Sequence, residues 1–221
     1  MLFDSLSCFP AKQRVASRLT SVATPIRLRQ LGTREFRDPS LFLRRIKALE
    51  SSLAHVPLDR EVRQLRTNRL KEWRETRVAA LFCYGMGQRL GHTVYVSRGE
   101  VDDADFIASW VEDDVQQLAP VQLKEIVPDE RNGRSDLDQV IESLHKYSDA
   151  EDLNVVLHLN RQLRFDPLAV RLPYLRISSL WILGCTSLDG TEWGLWGDFL
   201  TQNVEEHRFA YPGGANKCDA G

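Results

Sequence analysis

The sequence contains no long apolar run, few cysteines and none of the common hydrolase motifs. No stretch of 18 or more apolar residues is present, so we expect no membrane-spanning helix. The four cysteines are scattered, with no pair at C-x-x-C spacing. This spacing argues against a disulfide framework or a zinc site and predicts a reducing, cytoplasmic location. The motifs G-x-S-x-G and H-E-x-x-H are absent, so the sequence lacks the residues that a serine hydrolase or a zinc protease of these types would need.

The sequence does contain an ordinary globular composition with an uneven distribution of charge. Of its 221 residues, 43% are hydrophobic and 27% are charged, which is enough for one large domain with a core. Residues 1–99 hold 19 Lys and Arg against 8 Asp and Glu, whereas residues 100–221 hold 10 against 23. A basic half predicts a polyanionic partner such as nucleic acid. The alternative is that the two halves attract each other within the fold or across a homodimer interface.

Composition and periodicity divide the chain into three parts. Residues 1–36 are basic and show no steady period, which predicts a flexible N-terminal arm. Residues 37–204 are expected to form a single domain. Residues 205–221, which end in YPGGANKCDAG, are expected to form a loose tail.

Two helices are predicted at the start of this domain. The first is capped by Asp38 or Ser40, and its apolar residues recur at near-helical spacing: Leu41, Ile46, Leu49 and Leu53. The second is longer and is expected to run from about Asp59 to about Gly85, where glycine would end it. Its apolar residues fall within one arc, which predicts an amphipathic helix with an arginine-rich outer face.

From His92 onwards the apolar pattern changes to alternation, which is typical of strands. Three strands are predicted, in HTVYVSRG, DADFIASWVED and APVQLKEIV. A helix capped by Ser135 and a buried strand, LNVVLHLNR, follow them, and two further strands joined at Asp189-Gly190 come last. The order α-β-β-β-α-β plus a late hairpin predicts an α/β fold, with a central mixed β-sheet flanked by helices.

Polar residues interrupt two neighbouring strands of this predicted sheet. Asp105 stands at the head of an apolar run, with Asp103 two residues earlier on the same face. Gln122 and Lys124 are also two residues apart, so they share one face while Glu125 points away. An acid on one strand and two polar residues on the next can converge as a metal site. The alternatives are that Asp105 only ends a turn and that Gln122 and Lys124 form the solvated face of an edge strand.

The motif DADF followed by VQLK, within this order of elements, resembles the PD-(D/E)XK nuclease superfamily, whose fold is restriction-endonuclease-like. Asp105 matches the Asp of the family motif, Gln122 its second acidic position and Lys124 its Lys. Glu72, or else Glu61, would match the acidic residue that many members carry on the helix before the sheet. The resemblance covers about residues 59–160, and Gln in place of the second carboxylate is its main departure.

The resemblance implies a metal-dependent nuclease. Mg²⁺ or Mn²⁺ would be held by Asp105, the Gln122 side-chain carbonyl and the backbone carbonyl of Leu123. Lys124 would orient the attacking water and stabilise charge on the phosphate, and Glu72 would bind a metal or its water. The arginines of the second helix would lie along a nucleic-acid backbone: Arg63, Arg66, Arg74 and Arg77.

Two other roles remain open at the level of sequence. Because Gln122 supplies no charge, the chain is alternatively a catalytically inactive member of the same fold, acting as a protein-interaction or nucleic-acid-binding module. His158 and Asn160 share a face of their strand, where they either line the same cleft or, in the case of His158, sit hydrogen-bonded in the core.

Overall fold

The computed structural model describes residues 34–57, 59, 71–101, 104–127, 137–147, 150–160 and 166–213, with the backbone alone for residues 98–101. Three predicted site residues, Glu61, Arg63 and Arg66, lie outside these ranges. So do Asp103, Ser135, residues 1–33 of the predicted arm and residues 214–221 of the predicted tail. No helix in the described ranges is both long enough and apolar enough to span a membrane.

Helix α1 (Pro39–Ser52) begins where the sequence predicts. The Asp38 carboxylate accepts the backbone N–H of Ser40 at 2.7 Å, which satisfies a donor that the first helical turn leaves free. Of the predicted apolar face, Ile46 is buried as expected, and the rest of the buried face consists of Pro39 and Leu43. Leu41 and Leu49 are more than half exposed, because they point away from the helix that α1 packs against.

Helix α2 (Lys71–Leu90) continues five residues beyond its predicted end at Gly85. Gly85 lies inside the helix, at a point where a Cβ would approach the Phe209 ring to 2.5 Å. The helix ends at Gly91, whose φ of +78° is the left-handed conformation that glycine adopts readily. Glycine at position 85 therefore serves close packing, and glycine at position 91 serves the C-cap.

Within the described residues, seven strands form one mixed sheet in sequential order. They are β1 (Tyr95–Val101), β2 (Ala104–Glu112), β3 (Val115–Ile126), β4 (Ala150–Leu159), β5 (Ile177–Cys185), β6 (Glu192–Gly197) and β7 (Glu205–Ala210). The pairs β3–β4 and β4–β5 are parallel, and the other four pairs are antiparallel. Helix α3 (Leu137–Glu142) and a 3₁₀ turn (Ser143–Lys146) lie between β3 and β4. The predicted α/β class with a mixed sheet and helices is confirmed.

The prediction of a loose tail from Glu205 is wrong for the described part of that segment. Residues 205–210 form β7, which pairs with β6 along its whole length. Phe209 is buried against Gly85, and the Tyr211 hydroxyl donates a hydrogen bond to the Leu43 carbonyl at 3.1 Å. These two aromatic side chains bury apolar surface, although the sequence around them is rich in charged residues and therefore predicts exposure.

The helices divide the core into two layers, one on each face of the sheet. On the α2 face, the helix packs against one set of buried strand residues that includes Phe106, Val121 and Val156. On the α3 face, the other set includes Ile107, Val155 and Leu157. β3 lies between β2 and β4 in the sheet, but its residues 122–126 extend past the β2 ladder and pair with β4 alone, so the edge position in the alternative interpretation of Gln122 and Lys124 applies to this end of the strand.

Candidate functional site

The candidate site forms where β3 extends beyond its pairing with β2. The antiparallel ladder ends at Phe106 opposite Val121, whereas β3 continues against β4 as far as Ile126. Asp105 comes one residue before the last ladder pair, on the α3 face because Phe106 faces α2. Its Oδ2 atom accepts the backbone N–H of Leu123 at 2.7 Å. The carboxylate thus satisfies a β3 donor at the point where the strands separate.

Gln122 joins this arrangement through its side-chain amide. Its Nε2 atom donates one hydrogen bond to Asp105 Oδ2 and another to the Leu123 carbonyl oxygen, at 3.2 Å for the latter. The structure therefore brings together all three of the predicted metal ligands: Asp105, Gln122 and Leu123.

Lys124 lies on the same face of β3 as Gln122, about 7 Å further along the strand. Its register partner on β4 is Leu157, a core residue of the α3 face. The Lys124 ammonium lies 5.5 Å from the ring centroid of Tyr147, a buried residue that follows the 3₁₀ turn after α3. The sequence contains no signal for this contact, because it depends on α3 folding back over β3.

Glu72 lies in a different environment from these residues. It is exposed in the first described turn of α2, the helix that covers the opposite face of the sheet. Its backbone carbonyl accepts the Thr76 hydroxyl at 2.8 Å. The structure therefore places Glu72 on a helix over the opposite face of the sheet from Gln122 and Lys124.

The prediction of an arginine-rich outer face on α2 is wrong for Arg74 and Arg77. Their side chains are only 23% and 27% exposed, and both pair with carboxylates of the protein. Arg74 lies 3.5 Å from Glu125 of β3, and Arg77 lies 2.6 Å from Glu50 of α1. These positions flank the buried stripe of α2, so their charges are neutralised against neighbouring elements.

A second polar cluster lies on the α2 face of the sheet. The Asn160 amide donates to the Glu125 carboxylate, which also pairs with Arg74. His158 is 8% exposed and stacks on Trp193 at 6.1 Å. Burial lowers the pKa of His158 to about 4; Glu125 opposes this shift, while Arg77 and Arg74 add to it. We name these side chains the Glu125 cluster: Glu125, His158, Asn160 and Arg74.

The Glu125 cluster and the Asp105 site do not share a cleft. Glu125 and His158 are register partners on β3 and β4 and both face α2, whereas Gln122 and Lys124 face α3. The interpretation in which His158 and Asn160 line the cleft of Gln122 is therefore wrong. Strand alternation already predicts that Glu125 points away from Lys124, and this prediction is confirmed.

The Asp105 site offers hard oxygen donors with little charge. Its carboxylate, the Leu123 carbonyl and, if turned around, the Gln122 amide oxygen match the preference of Mg²⁺ and Mn²⁺ for oxygen ligands. No group of three His, Cys, Asp or Glu residues in the described ranges could hold a metal. The donor set therefore fits a weakly held divalent cation that keeps several water ligands.

Comparisons with known proteins identify no relative of this chain. No protein-family model, no curated protein and no solved structure matches it. The resemblance to PD-(D/E)XK nucleases therefore rests on Asp105, Gln122, Lys124 and the order of the elements alone.

Proposed function

We propose that the protein is a metal-dependent nuclease with a restriction-endonuclease-like fold, using Mg²⁺ or Mn²⁺ to hydrolyse phosphodiester bonds of DNA or RNA. The observation that carries the proposal is the hydrogen-bonded convergence of Asp105, Gln122 and Leu123 at the end of the β2–β3 ladder. The order α-β-β-β-α-β from α2 to β4 supports the same assignment.

The residues of the site have distinct roles in this proposal. Asp105 supplies the negative charge that holds the cation, and the Leu123 carbonyl supplies a neutral oxygen from the backbone. A bound cation would polarise the phosphate and lower the pKa of a coordinated water. Lys124 places an ammonium group on the same face of β3, where it stabilises the charge that develops on the phosphate. The Tyr147 ring limits where that ammonium can lie.

A second candidate function has its own supporting observation. The Gln122 amide nitrogen lies against the two oxygens that a cation would need, and it already satisfies both of them. A site closed permanently in this way would belong to a catalytically inactive member of the same fold. Such a protein would act as a nucleic-acid-binding or protein-interaction module.

Cleavage assays distinguish the two candidates. Labelled single- and double-stranded DNA and RNA are incubated with the protein in Mg²⁺ or Mn²⁺, and products are resolved on gels. We expect cleavage by the wild type and a loss of at least about a hundredfold in Asp105→Ala and in Lys124→Met, because each removes a charge that acts on the transition state.

Two matched variants control for general effects of the substitutions. Glu112→Ala removes an exposed carboxylate from the same strand as Asp105, and Lys146→Met removes an exposed ammonium that lies 5.0 Å from the same Tyr147 ring. Both should cleave at the wild-type rate. Cleavage that survives in Asp105→Ala, or that is absent from the wild type in both metals, would reject the nuclease proposal.

A further inference from the structure

The Gln122 side chain is held by two hydrogen bonds that use one nitrogen. Nε2 carries two hydrogens, and in this structure one is donated to Asp105 Oδ2 and the other to the Leu123 carbonyl oxygen. Asp105 Oδ2 also accepts the N–H of Leu123, so three N–H contacts surround the two oxygens. Among the described residues, no Lys, Arg or His forms an ion pair with Asp105.

The orientation of the amide follows from electrostatics. If the amide oxygen pointed at Asp105, a partial negative charge would face a carboxylate and a carbonyl without a hydrogen bond. The nitrogen end instead brings partial positive charge to both oxygens. We infer that the Gln122 amide nitrogen occupies the place of the cation, so that this pair of hydrogen bonds and a metal bound at Asp105 and Leu123 exclude each other.

This inference rests on the proposed function, because it concerns the same metal site. A divalent cation can enter only when the amide turns over, which removes the nitrogen and presents Oε1 as a third oxygen ligand. Gln122 is then a competitor in one orientation and a ligand in the other. A carboxylate at this position cannot donate, so Gln122→Glu lacks the competitor and adds a charged ligand.

The state of the amide can be read directly by NMR with MgCl₂ alone as the probe. The side-chain NH₂ signals of Gln122 are assigned by their loss in Gln122→Ala. We expect these hydrogens to exchange with water at least about tenfold more slowly than those of Gln202, an exposed glutamine between β6 and β7. Saturating Mg²⁺ should shift the Gln122 signals and raise their exchange rate towards that of Gln202, and Asp105→Asn should abolish this response.

Calorimetric titration of Mn²⁺ into variants supplies the second measurement. We expect Gln122→Glu to bind at least about tenfold more tightly than the wild type, because it gains a charged ligand and loses the competitor. Gln122→Ala loses a ligand and a competitor together, so its affinity should stay within about threefold of the wild type. Gln116→Glu, the same substitution on the exposed end of the strand, should leave the affinity unchanged.

The outcomes separate this inference from the proposed function. Asp105-dependent Mg²⁺ binding that leaves the Gln122 amide protected would overturn the inference and keep the metal site. Binding in Gln122→Ala and Gln122→Glu but not in the wild type would support exclusion by the amide and reject the nuclease. Absence of binding in all of these proteins would overturn both.

Discussion

The two faces of the sheet at β3 carry polar clusters whose carboxylates have different kinds of partner. On the α2 face, Glu125 pairs with Arg74 and accepts a hydrogen bond from Asn160. On the α3 face, Asp105 accepts hydrogen bonds only from the neutral amide groups of Gln122 and Leu123, within the described residues. One carboxylate therefore pairs with a cationic side chain, whereas the other is held by neutral donors alone among the described residues.

This difference indicates which cluster can take a cation. A carboxylate that already has an arginine gains little from a metal ion, and the metal would also face repulsion from that arginine. A carboxylate held by neutral donors provides an uncompensated charge next to a replaceable amide. The comparison favours the Asp105 site for metal chemistry and gives the Glu125 cluster a role in stability.

The sharpest test of this comparison exchanges each carboxylate for its amide. Asp105→Asn should weaken Mn²⁺ binding by at least about a hundredfold, because the described ligand set loses its one charged oxygen donor. Glu125→Gln should change the affinity by less than about twofold. Titration calorimetry measures both variants, and equal effects on the two faces would contradict the assignment.

The next largest effect concerns the pH dependence of stability on the α2 face. The pKa of His158 is lowered to about 4 in the folded protein, so protons bind the unfolded state first as the pH falls. The contribution of His158 is present above pH 6.5 and is lost towards pH 4, which amounts to about 2 kcal/mol between pH 7 and pH 5. Urea denaturation at the two pH values measures it.

His158→Phe keeps a ring against Trp193 and removes the titrating group. Its loss of stability between pH 7 and pH 5 should be about 2 kcal/mol smaller than that of the wild type. His145→Phe, at an exposed position, should behave as the wild type does. An unchanged loss in His158→Phe would show that another group produces the pH dependence.

A smaller effect is expected from removing the acid of the Glu125 cluster. Glu125→Ala leaves Arg74 and Asn160 without their acceptor, at a cost of about 1–2 kcal/mol. This figure is reduced because both charged side chains remain about a quarter exposed. Glu151→Ala breaks an exposed pair with Arg176 and should cost less than about 0.5 kcal/mol. Equal unfolding free energies for the two variants would show that the cluster adds nothing to stability.

The smallest expected effect is the interaction of Lys124 with Tyr147. A double-mutant cycle with Lys124→Met and Tyr147→Leu should give a coupling free energy of about 0.5–1 kcal/mol, typical of a cation near an aromatic face. A second cycle replaces Tyr147→Leu with Tyr147→Phe. Its coupling free energy should be smaller than that of the Leu cycle, because Phe keeps the aromatic ring and so removes less of the interaction. Chemical denaturation supplies the four free energies of each cycle, and a coupling of zero in the Leu cycle would remove Tyr147 from the site.

The sequence predicted the parts of this fold that depend on local patterns. Asp38 caps α1, and Gln122 and Lys124 share one face of β3. These features follow from hydrogen bonding over two or three residues and from strand alternation. The prediction that Asp105 is a site residue rests on a local pattern of the same kind, an acid at the head of an apolar run.

The errors arose where a residue's environment is set by a distant segment. In the sequence Gly85 resembles a helix end, whereas in the structure the Phe209 ring packs against it. Residues 205–210 resemble a tail in the sequence, whereas in the structure they pair with β6. Arg74 resembles a solvent-facing residue until Glu125 meets it from the sheet. Periodicity records which residues can be buried, but it does not record what will cover them.

The sequence by itself determined the class of the fold, the alternation of β3 and the residue types available to a site. Only the tertiary structure decided that Asp105 meets neutral donors while Glu125 meets an arginine. The reason is that the partners of a partly buried carboxylate come from other strands and helices, and their distances are established only when the sheet and both helical layers pack together.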